Sequence, residues 1–257
     1  CIRDRPEIDL TRPETLEPAL AGASVVVHAA AITGDRKEPF RGAYRQVNQV
    51  ATENLVRAAR AAGARRLVVM SGLGSKPAPE GTYMATRWGL EEAVRASGIP
   101  YVILQPSVLF GEGAAFTTAL ANVARRSPVV PLLGGGGSRF QPLWIEDLVQ
   151  CLLRSLGPEA PLGREVPLGG ADVVSFRQLM EQLCEAVGKR RLLLPLPLWL
   201  ARPQAHLMAA LLANPPLTPA AVELFSLDNV AGEGSVRNGF GFEPRGFVEH
   251  IRRNGLG

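Results

Sequence analysis

The feature that most constrains this chain is an alternation of short apolar runs with longer segments of helical periodicity. Residues 25–30, 67–70 and 101–104 are apolar and rich in β-branched side chains, as buried strands are. Between them, residues 41–62 and 83–96 repeat apolar positions at helical spacing. Strands that alternate with helices of about a dozen residues predict βαβ units and a parallel sheet. We therefore expect an α/β fold with a doubly wound parallel sheet.

The alternation weakens after Gly111, where the element pattern becomes mixed. A strand signal at residues 165–168 precedes a capping box at Ser175-x-x-Gln178, which predicts a helix start. Thr218-Pro219 predicts one more helix, because proline is favoured in the first helical turn. A further capping-box pattern, Thr11-Arg-Pro-Glu14, predicts a short helix through residue 20 near the beginning.

These patterns divide the chain into an incomplete Rossmann core and a smaller mixed C-terminal portion, expected on the substrate side. The core would take residues 1–111 with about 141–168, and the second portion residues 112–140 and 169–257.

A dinucleotide-binding fold normally opens with a strand, a glycine-rich turn and a helix whose N-terminus holds the pyrophosphate. No glycine fingerprint stands between a strand and a helix in this sequence, and the four-glycine run at 134–137 predicts a flexible loop. We therefore expect that the first βαβ unit, roughly 40 residues in size, is absent, which would impair cofactor binding.

Composition and residue spacing limit the kinds of partner that we expect this chain to bind. Lys and Arg number 28 against 24 Asp and Glu, and the basic residues are scattered, so we expect no nucleic-acid partner. The three histidines lack partners at metal-ligand spacing, so we expect no metal site. Widely spaced cysteines and the lack of a signal peptide predict a reduced, cytoplasmic protein. The cysteines are Cys1, Cys151 and Cys184.

The most apolar segment, residues 192–200, is interrupted by Pro195 and Pro197 and is too short for a membrane helix. We expect residues 192–212 to form a wall of the substrate side. The alternative is a docking segment for a protein partner or a membrane surface, which would place the chain at the membrane periphery.

Three residues form a candidate catalytic group. Tyr83 and Arg87 lie one helical turn apart on one face, and Ser71 ends a predicted strand, where open parallel sheets bind ligands. A cation beside a phenol favours proton exchange with a carbonyl or alcohol, and a serine hydroxyl can orient the same oxygen. Spacing alone favours a simpler interpretation, a half-buried aromatic beside a surface cation.

The whole order of segments resembles the short-chain dehydrogenase/reductase superfamily, in its extended and atypical branch, which includes NAD-dependent epimerases and dehydratases. The resemblance covers nearly all of the chain. Its pieces are Asp9-Leu10, residues 25–31, Asn48, residues 71–74, Tyr83-x-x-x-Arg87, Glu91, residues 97–107 and Phe110-Gly111.

The C-terminal part is similar to bacterial relatives of the dehydrogenase-like accessory subunit of respiratory complex I. This second resemblance implies that the cofactor is NADP(H) rather than NAD(H). The segments that carry it are 141–147, 168–170, 195–197, 214–218 and 227–230.

The resemblance implies roles for individual residues. Ser71 and Tyr83 would be the catalytic pair, and Arg87, where the family has lysine, would hold the ribose. Asp9 and Leu10 would flank the adenine, and the three alanines at 29–31 would line the adenosine side of the cofactor. Pro106 and Ser107 would contact the nicotinamide end, and Arg3 would contact the 2′-phosphate of NADP(H). The cofactor-binding residues are Arg3, Asp9, Leu10, Ala29, Ala30, Ala31, Asn48, Tyr83, Arg87, Pro106 and Ser107.

Two functions remain open. The first is that of an NAD(P)-binding oxidoreductase or epimerase/dehydratase that acts on a carbonyl, an alcohol or a nucleotide-sugar-like small molecule. Because Arg87 replaces lysine, the alternative is a non-catalytic NADP(H)-binding accessory or assembly subunit, or a redox-sensing regulator.

Overall fold

The computed structural model describes residues 8–213, 215 and 217–255. They form two compact units. The first contains the described residues through Thr33, Glu38–Gln105 and Arg154–Val166, and the second contains the remaining described residues. Residues 106–111 and 141–153, which the sequence assigns to the core, group with the second unit.

The first unit follows the predicted alternation. Asn48 and its neighbours form a π-helical turn, Arg45–Val50, that continues directly into the second α-helix. The elements are α1 (Leu16–Leu20), β1 (Val25–His28), α2 (Ala51–Ala61), β2 (Arg66–Met70), α3 (Tyr83–Arg95) and β3 (Tyr101–Pro106).

The elements after β3 are shorter and mixed. They are β4 (Leu109–Phe110), α4 (Ala115–Arg126), β5 (Val129–Leu133), β6 (Arg139–Phe140), β7 (Leu143–Trp144), α5 (Ile145–Leu156), β8 (Arg164–Leu168), β9 (Val174–Ser175), α6 (Phe176–Ala186), β10 (Leu192–Leu196), α7 (Leu198–Leu211), α8 (Pro219–Phe225), α9 (Ser235–Phe240) and α10 (Phe247–Asn254).

The main sheet has the strand order β1-β2-β3-β8. β1 pairs parallel with β2, and β2 pairs parallel with β3, so that Val26 lies opposite Leu67 and Val69 opposite Ile103. These side chains are buried in a core with apolar residues of α2 and α3. The α/β fold with a parallel sheet, predicted from the alternation of runs, is confirmed.

The second unit has its own core, in which Phe140, Phe176 and Phe225 pack ring against ring. β5 pairs parallel with β10, and β6 pairs antiparallel with β9, so the pairing in this unit is mixed. α6 begins with the predicted capping box, since Ser175 and Gln178 exchange both hydrogen bonds. The predicted helix at Pro219 also begins where expected, with Thr218 as its cap.

One local prediction needs correction. The expected capping box at Thr11 does not form, because the Thr11 hydroxyl donates to the adjacent Asp9 carboxylate at 2.7 Å. Pro13–Thr15 form a 3₁₀ turn that leads into α1. In the four-glycine run, predicted as a loop, Gly134, Gly135 and Gly136 form a tight turn between β5 and β6, with φ values of 61°, 77° and 82°. Over the described residues, no helix is both long enough and apolar enough to cross a membrane.

Candidate functional site

The first unit contains a cleft of about 550 Å³. It lies between the segment that precedes α1 and the π-helical turn that continues into α2. This volume lies in the range of small-molecule sites. Asp9 and Leu10, which the resemblance places beside the adenine, both line the cleft. The described residues that line it are Ile8, Asp9, Leu10, Thr11, Arg12, Thr15, Val47 and Ala51.

The polar edge of this cleft combines an anion with a cation. Asp9 accepts hydrogen bonds from the hydroxyl and the backbone N–H of Thr11, at 2.7 and 2.9 Å. These bonds hold the pKa of Asp9 below its usual value, with a smaller contribution from Arg12. The Arg12 Nε lies 3.6 Å from the Asp9 carboxylate. Arg3, expected at a 2′-phosphate, lies outside the described residues.

The three alanines expected along the adenosine follow directly after β1. Ala29, Ala30 and Ala31 are all exposed, so their small side chains leave the end of the strand open to a ligand. Asn48 has a different position. It is buried, and its amide accepts from the N–H of Ile32 at 2.8 Å and donates to the Ile32 carbonyl at 3.0 Å. Asn48 therefore fixes the backbone that follows the alanines.

Ser71 follows β2 and is tied to α3. Its hydroxyl donates to Oε1 of Glu91 at 2.5 Å. Glu91 is fully buried and also accepts from the Gln105 amide at 2.9 Å and from Arg95 Nη2 at 2.7 Å. In this arrangement the Ser71 proton points to Glu91, so the hydroxyl oxygen offers lone pairs to a ligand.

Tyr83 and Arg87 occupy the first two turns of α3. Thr82 caps this helix, because its hydroxyl accepts a hydrogen bond from the Ala85 N–H. Both side chains are buried, and the Arg87 guanidinium carbon lies 5.8 Å from the centre of the Tyr83 ring. The structure therefore brings the pair together, and Arg87 is not the surface cation of the simpler interpretation.

The arginine also reaches the loop after β2. Arg87 Nη2 donates to the Leu73 carbonyl at 3.1 Å. A Cβ at Gly72 would come within 2.5 Å of that nitrogen, so the missing side chain of Gly72 leaves the space that the guanidinium occupies. Arg87 therefore holds the Ser71-containing loop against α3.

Pro106 and Ser107, expected at the nicotinamide, belong to the second unit. The Ser107 N–H donates to the Leu168 carbonyl at 2.8 Å. Its hydroxyl lies 2.6 Å from Oδ1 and 3.0 Å from the backbone oxygen of Asn229. Ser107 is buried, and its contacts join three segments of the second unit, at residues 107, 168 and 229.

Glu91 is part of the family resemblance without a role of its own, and no sequence pattern assigns a role to Arg12. The structure places Glu91 at the centre of the Ser71 network and Arg12 at the cleft. The signal for Glu91 was its spacing, since it stands four residues from both Arg87 and Arg95 on one helix. Arg12 had no comparable signal, because its position depends on the turn at Asp9.

Two other polar residues have structural contacts. His28 is buried, and its Nε2 lies 2.9 Å from the Thr52 hydroxyl, as expected of a satisfied core histidine. Burial lowers the pKa of His28 to about 4. Asp147 lies in the first turn of α5 and accepts from the Arg245 N–H at 2.6 Å. Burial raises the pKa of Asp147.

Comparison with known proteins bears on the segment that holds the cleft. Residues 6–128 match a family described as NAD(P)H-binding. This part of the chain is therefore similar to the NAD(P)H-binding family. The NAD(P)H-binding segment includes β1, β2 and β3 and the residues of the cleft, so the expected nicotinamide-nucleotide family is confirmed.

Curated relatives extend the match. A ceramide reductase of Caulobacter vibrioides is 34% identical over 54% of this chain and 42% of its own length. The mitochondrial NADH dehydrogenase [ubiquinone] 1 alpha subcomplex subunit 9 of Arabidopsis thaliana is 22% identical over 84% of this chain and 54% of its own length. The chain thus spans about half the length of these relatives. The resemblance to short-chain dehydrogenases and the complex I subunit is confirmed.

A solved structure supports the fold. The triphenylmethane reductase of Citrobacter sp., complexed with NADP(H), superimposes with a TM-score of 0.72 at 16% identity. The match covers 96% of this chain and 81% of the reductase. At this identity the likeness concerns the fold alone, and it confirms the Rossmann-type architecture of the NAD(P)H-binding segment.

Proposed function

We propose that the chain binds NADP(H) in preference to NAD(H), with the adenosine end in the cleft at Asp9 and Leu10. The observation that carries this proposal is the coincidence of the family match with an open cleft of about 550 Å³. The residues fit such a ligand, because the alanines after β1 are small and exposed. Arg12 supplies a cation at the cleft for a 2′-phosphate.

NADPH supplies a hydride when it is bound. The chain's own contribution would come from α3 and the loop after β2. Tyr83 would hold or give a proton at a substrate oxygen, and the buried cation of Arg87 favours the phenolate that forms. Ser71 would accept a hydrogen bond from a substrate hydroxyl, since its own proton points to Glu91. The substrate class would be a carbonyl, an alcohol or a nucleotide-sugar-like small molecule.

A second candidate is a non-catalytic NADP(H)-binding accessory subunit or redox sensor. It is favoured by two contacts within the chain: Arg87 donates to the Leu73 carbonyl, and Ser71 donates to Glu91. Both contacts direct polar groups of the candidate site toward the chain itself. A cytoplasmic location belongs to both candidates, because the cysteine pattern of the sequence favours a reducing compartment.

The deciding experiment is a fluorescence titration with NADPH, followed by turnover assays on carbonyl compounds and nucleotide sugars. For the enzyme, Tyr83→Phe is expected to lower kcat by about a hundredfold or more while NADPH affinity is kept. Tight NADPH binding without turnover in the native chain and in Arg87→Lys would favour the accessory role. Absence of nicotinamide-nucleotide binding would overturn both candidates.

Cofactor preference has a separate test. Arg12→Gln is expected to weaken NADPH binding about tenfold and leave NADH binding unchanged, because only NADPH carries the 2′-phosphate. Arg60→Gln is the matched control, since Arg60 is exposed near the far end of α2. Equal loss of NADPH and NADH affinity in Arg12→Gln would contradict the assignment of Arg12 to the phosphate.

A further inference from the structure

α7 exposes its bulky apolar side chains instead of burying them. Trp199 is 74% exposed, Leu207 is 61% exposed and Leu211 is 73% exposed, while the buried positions of the helix are Ala201 and Ala205. An ordinary surface helix has the opposite arrangement, with its large apolar residues in the core. The exposed face of α7 therefore lacks a partner of apolar character within the described chain.

These residues form one continuous strip along the helix. Trp199, Pro203, Leu207 and Leu211 recur every four residues, so they follow one another along a single face, and all four are exposed. We call this set the apolar stripe. The strand that precedes the helix adds Leu192 and Leu194, also exposed, so the apolar surface begins before α7.

Along the chain, the charged residues of this segment are all basic. Between Glu185 and Glu223 the chain has no acidic residue, but it contains Lys189, Arg190, Arg191 and Arg202. Arg202 is exposed on α7 beside the apolar stripe. The Lys37 ammonium donates to the Leu212 carbonyl at 3.0 Å, which places a further cation just beyond the end of α7.

A second group of cations meets at the start of β10. The Arg191 guanidinium donates to the carbonyls of Ala124 and Arg125, at 2.6 and 2.9 Å, and thereby joins the end of α4 to the segment before β10. Within the described residues, none of these cations forms an ion pair with a carboxylate. This basic cluster consists of Arg125, Arg126, Lys189, Arg190 and Arg191.

We propose that the apolar stripe of α7, with the basic cluster, docks the protein on the surface of an anionic lipid bilayer. Exposed tryptophan and leucine insert at the boundary between headgroups and acyl chains, and neighbouring Lys and Arg are attracted to anionic headgroups. The combination of bulky apolar side chains with cations, over a segment that has no carboxylates, favours this occupant over a polar protein partner. The proposal goes beyond the proposed cofactor binding and does not depend on it.

The test is flotation of the whole chain with vesicles of phosphatidylcholine that contain about one third phosphatidylglycerol, compared with phosphatidylcholine alone. We expect binding to the anionic vesicles to be at least about tenfold stronger, and to fall with added salt. The double variant Trp199→Ser/Leu207→Ser is expected to lose at least about tenfold in vesicle affinity. Leu153→Ser/Val173→Ser is its matched control, because both residues are exposed apolar residues elsewhere in the second unit.

The basic cluster is tested in the same assay. Lys189→Gln/Arg190→Gln is expected to weaken binding to anionic vesicles, and Arg252→Gln/Arg253→Gln, in α10, is expected to leave it unchanged. Retained NADPH affinity, or an unchanged thermal melt if the chain binds no nucleotide, shows that each variant is folded.

Failure of the native chain to float with anionic vesicles would overturn the proposal. It would also be overturned if Trp199→Ser/Leu207→Ser floats as the native chain does. Analytical ultracentrifugation tests whether a second copy of the chain covers the apolar stripe instead. If the native chain is a dimer that does not bind vesicles, and the Trp199→Ser/Leu207→Ser variant is a monomer, the stripe is a self-association surface and the proposal is overturned.

Discussion

The Ser71 hydroxyl donates a hydrogen bond of 2.5 Å to Oε1 of Glu91, and this bond joins the end of β2 to the middle of α3. Glu91 also receives hydrogen bonds from Gln105 and Arg95, so one buried carboxylate organises donors from β2, β3 and α3. The orientation of Ser71 is therefore set by a residue outside the candidate catalytic group.

Glu91→Gln is expected to destabilise the fold. The carboxylate accepts from three donors, and an amide replaces one accepting oxygen by a nitrogen that carries its own protons. A buried donor then loses its partner, so the free energy of unfolding should fall by about 2–4 kcal/mol in a urea titration. Glu92→Gln is the matched control, because Glu92 is half exposed and, like Glu91, forms an ion pair with Arg95. A loss of similar size in the control would contradict the role given to Glu91.

His28 predicts a dependence of stability on pH. Burial lowers its pKa from 6.5 to about 4, so between these values the unfolded chain binds a proton that the folded chain does not. The stability from neutral His28 is complete above about pH 6.5 and is lost as the pH falls toward 4, by about 3 kcal/mol in total.

The measurement is urea unfolding at pH 7 and pH 4.5 for the native chain and for His28→Gln. The Thr52 hydroxyl donates to the Asn48 carbonyl at 2.6 Å, so it accepts from His28, and a glutamine amide can replace that donor. The variant should lose less stability on acidification than the native chain does. The exposed His206, changed to glutamine, should leave the native pH dependence in place.

The cleft at Asp9 predicts a steric block of nucleotide binding. Val47→Trp adds a large ring to the wall of this cleft, so NADPH affinity should fall by about tenfold or more, as measured by fluorescence titration. Val149→Trp, at an exposed position of α5, should bind NADPH as the native chain does. Unchanged affinity in Val47→Trp would place the adenosine elsewhere.

Gly170 predicts a backbone constraint in the second unit. A Cβ at this position would overlap the Pro142 carbonyl oxygen, which the fixed backbone cannot withdraw. Gly170→Ala is therefore expected to lower the free energy of unfolding by about 2–4 kcal/mol. Gly137→Ala, where a Cβ would meet no atom within 4 Å, should change it by less than about 0.5 kcal/mol. Equal stability of the two variants in thermal melts would contradict this constraint.

Local patterns were sufficient for most of the first unit. The apolar runs at β1, β2 and β3 and the helical spacing of α2 and α3 are properties of consecutive residues, so they predict elements without knowledge of the fold. The capping box at Ser175 was predicted for the same reason. At Thr11 the same pattern was wrong, because the nearby Asp9 carboxylate competes for the hydroxyl.

The candidate site was only partly predictable. The spacing of Tyr83 and Arg87 predicts a shared face, but it does not say whether that face is buried or what the guanidinium contacts. Ser107 illustrates the limit further, because its partner Asn229 lies 122 residues away in the chain. Side-chain partners at such separations depend on the packing of elements that local patterns do not relate.

By itself, the sequence determined the α/β class, the strands of the parallel sheet and the resemblance to a nicotinamide-nucleotide family, because periodicity and motif order are encoded along the chain. Only the tertiary structure decided that Ser71 donates to Glu91, that Arg12 meets Asp9 at a cleft, and that α7 turns Trp199 outward. Each of these features depends on which side chains contact one another in the folded chain. That depends on how each helix rotates against its neighbours to bury the most apolar surface and satisfy buried polar groups.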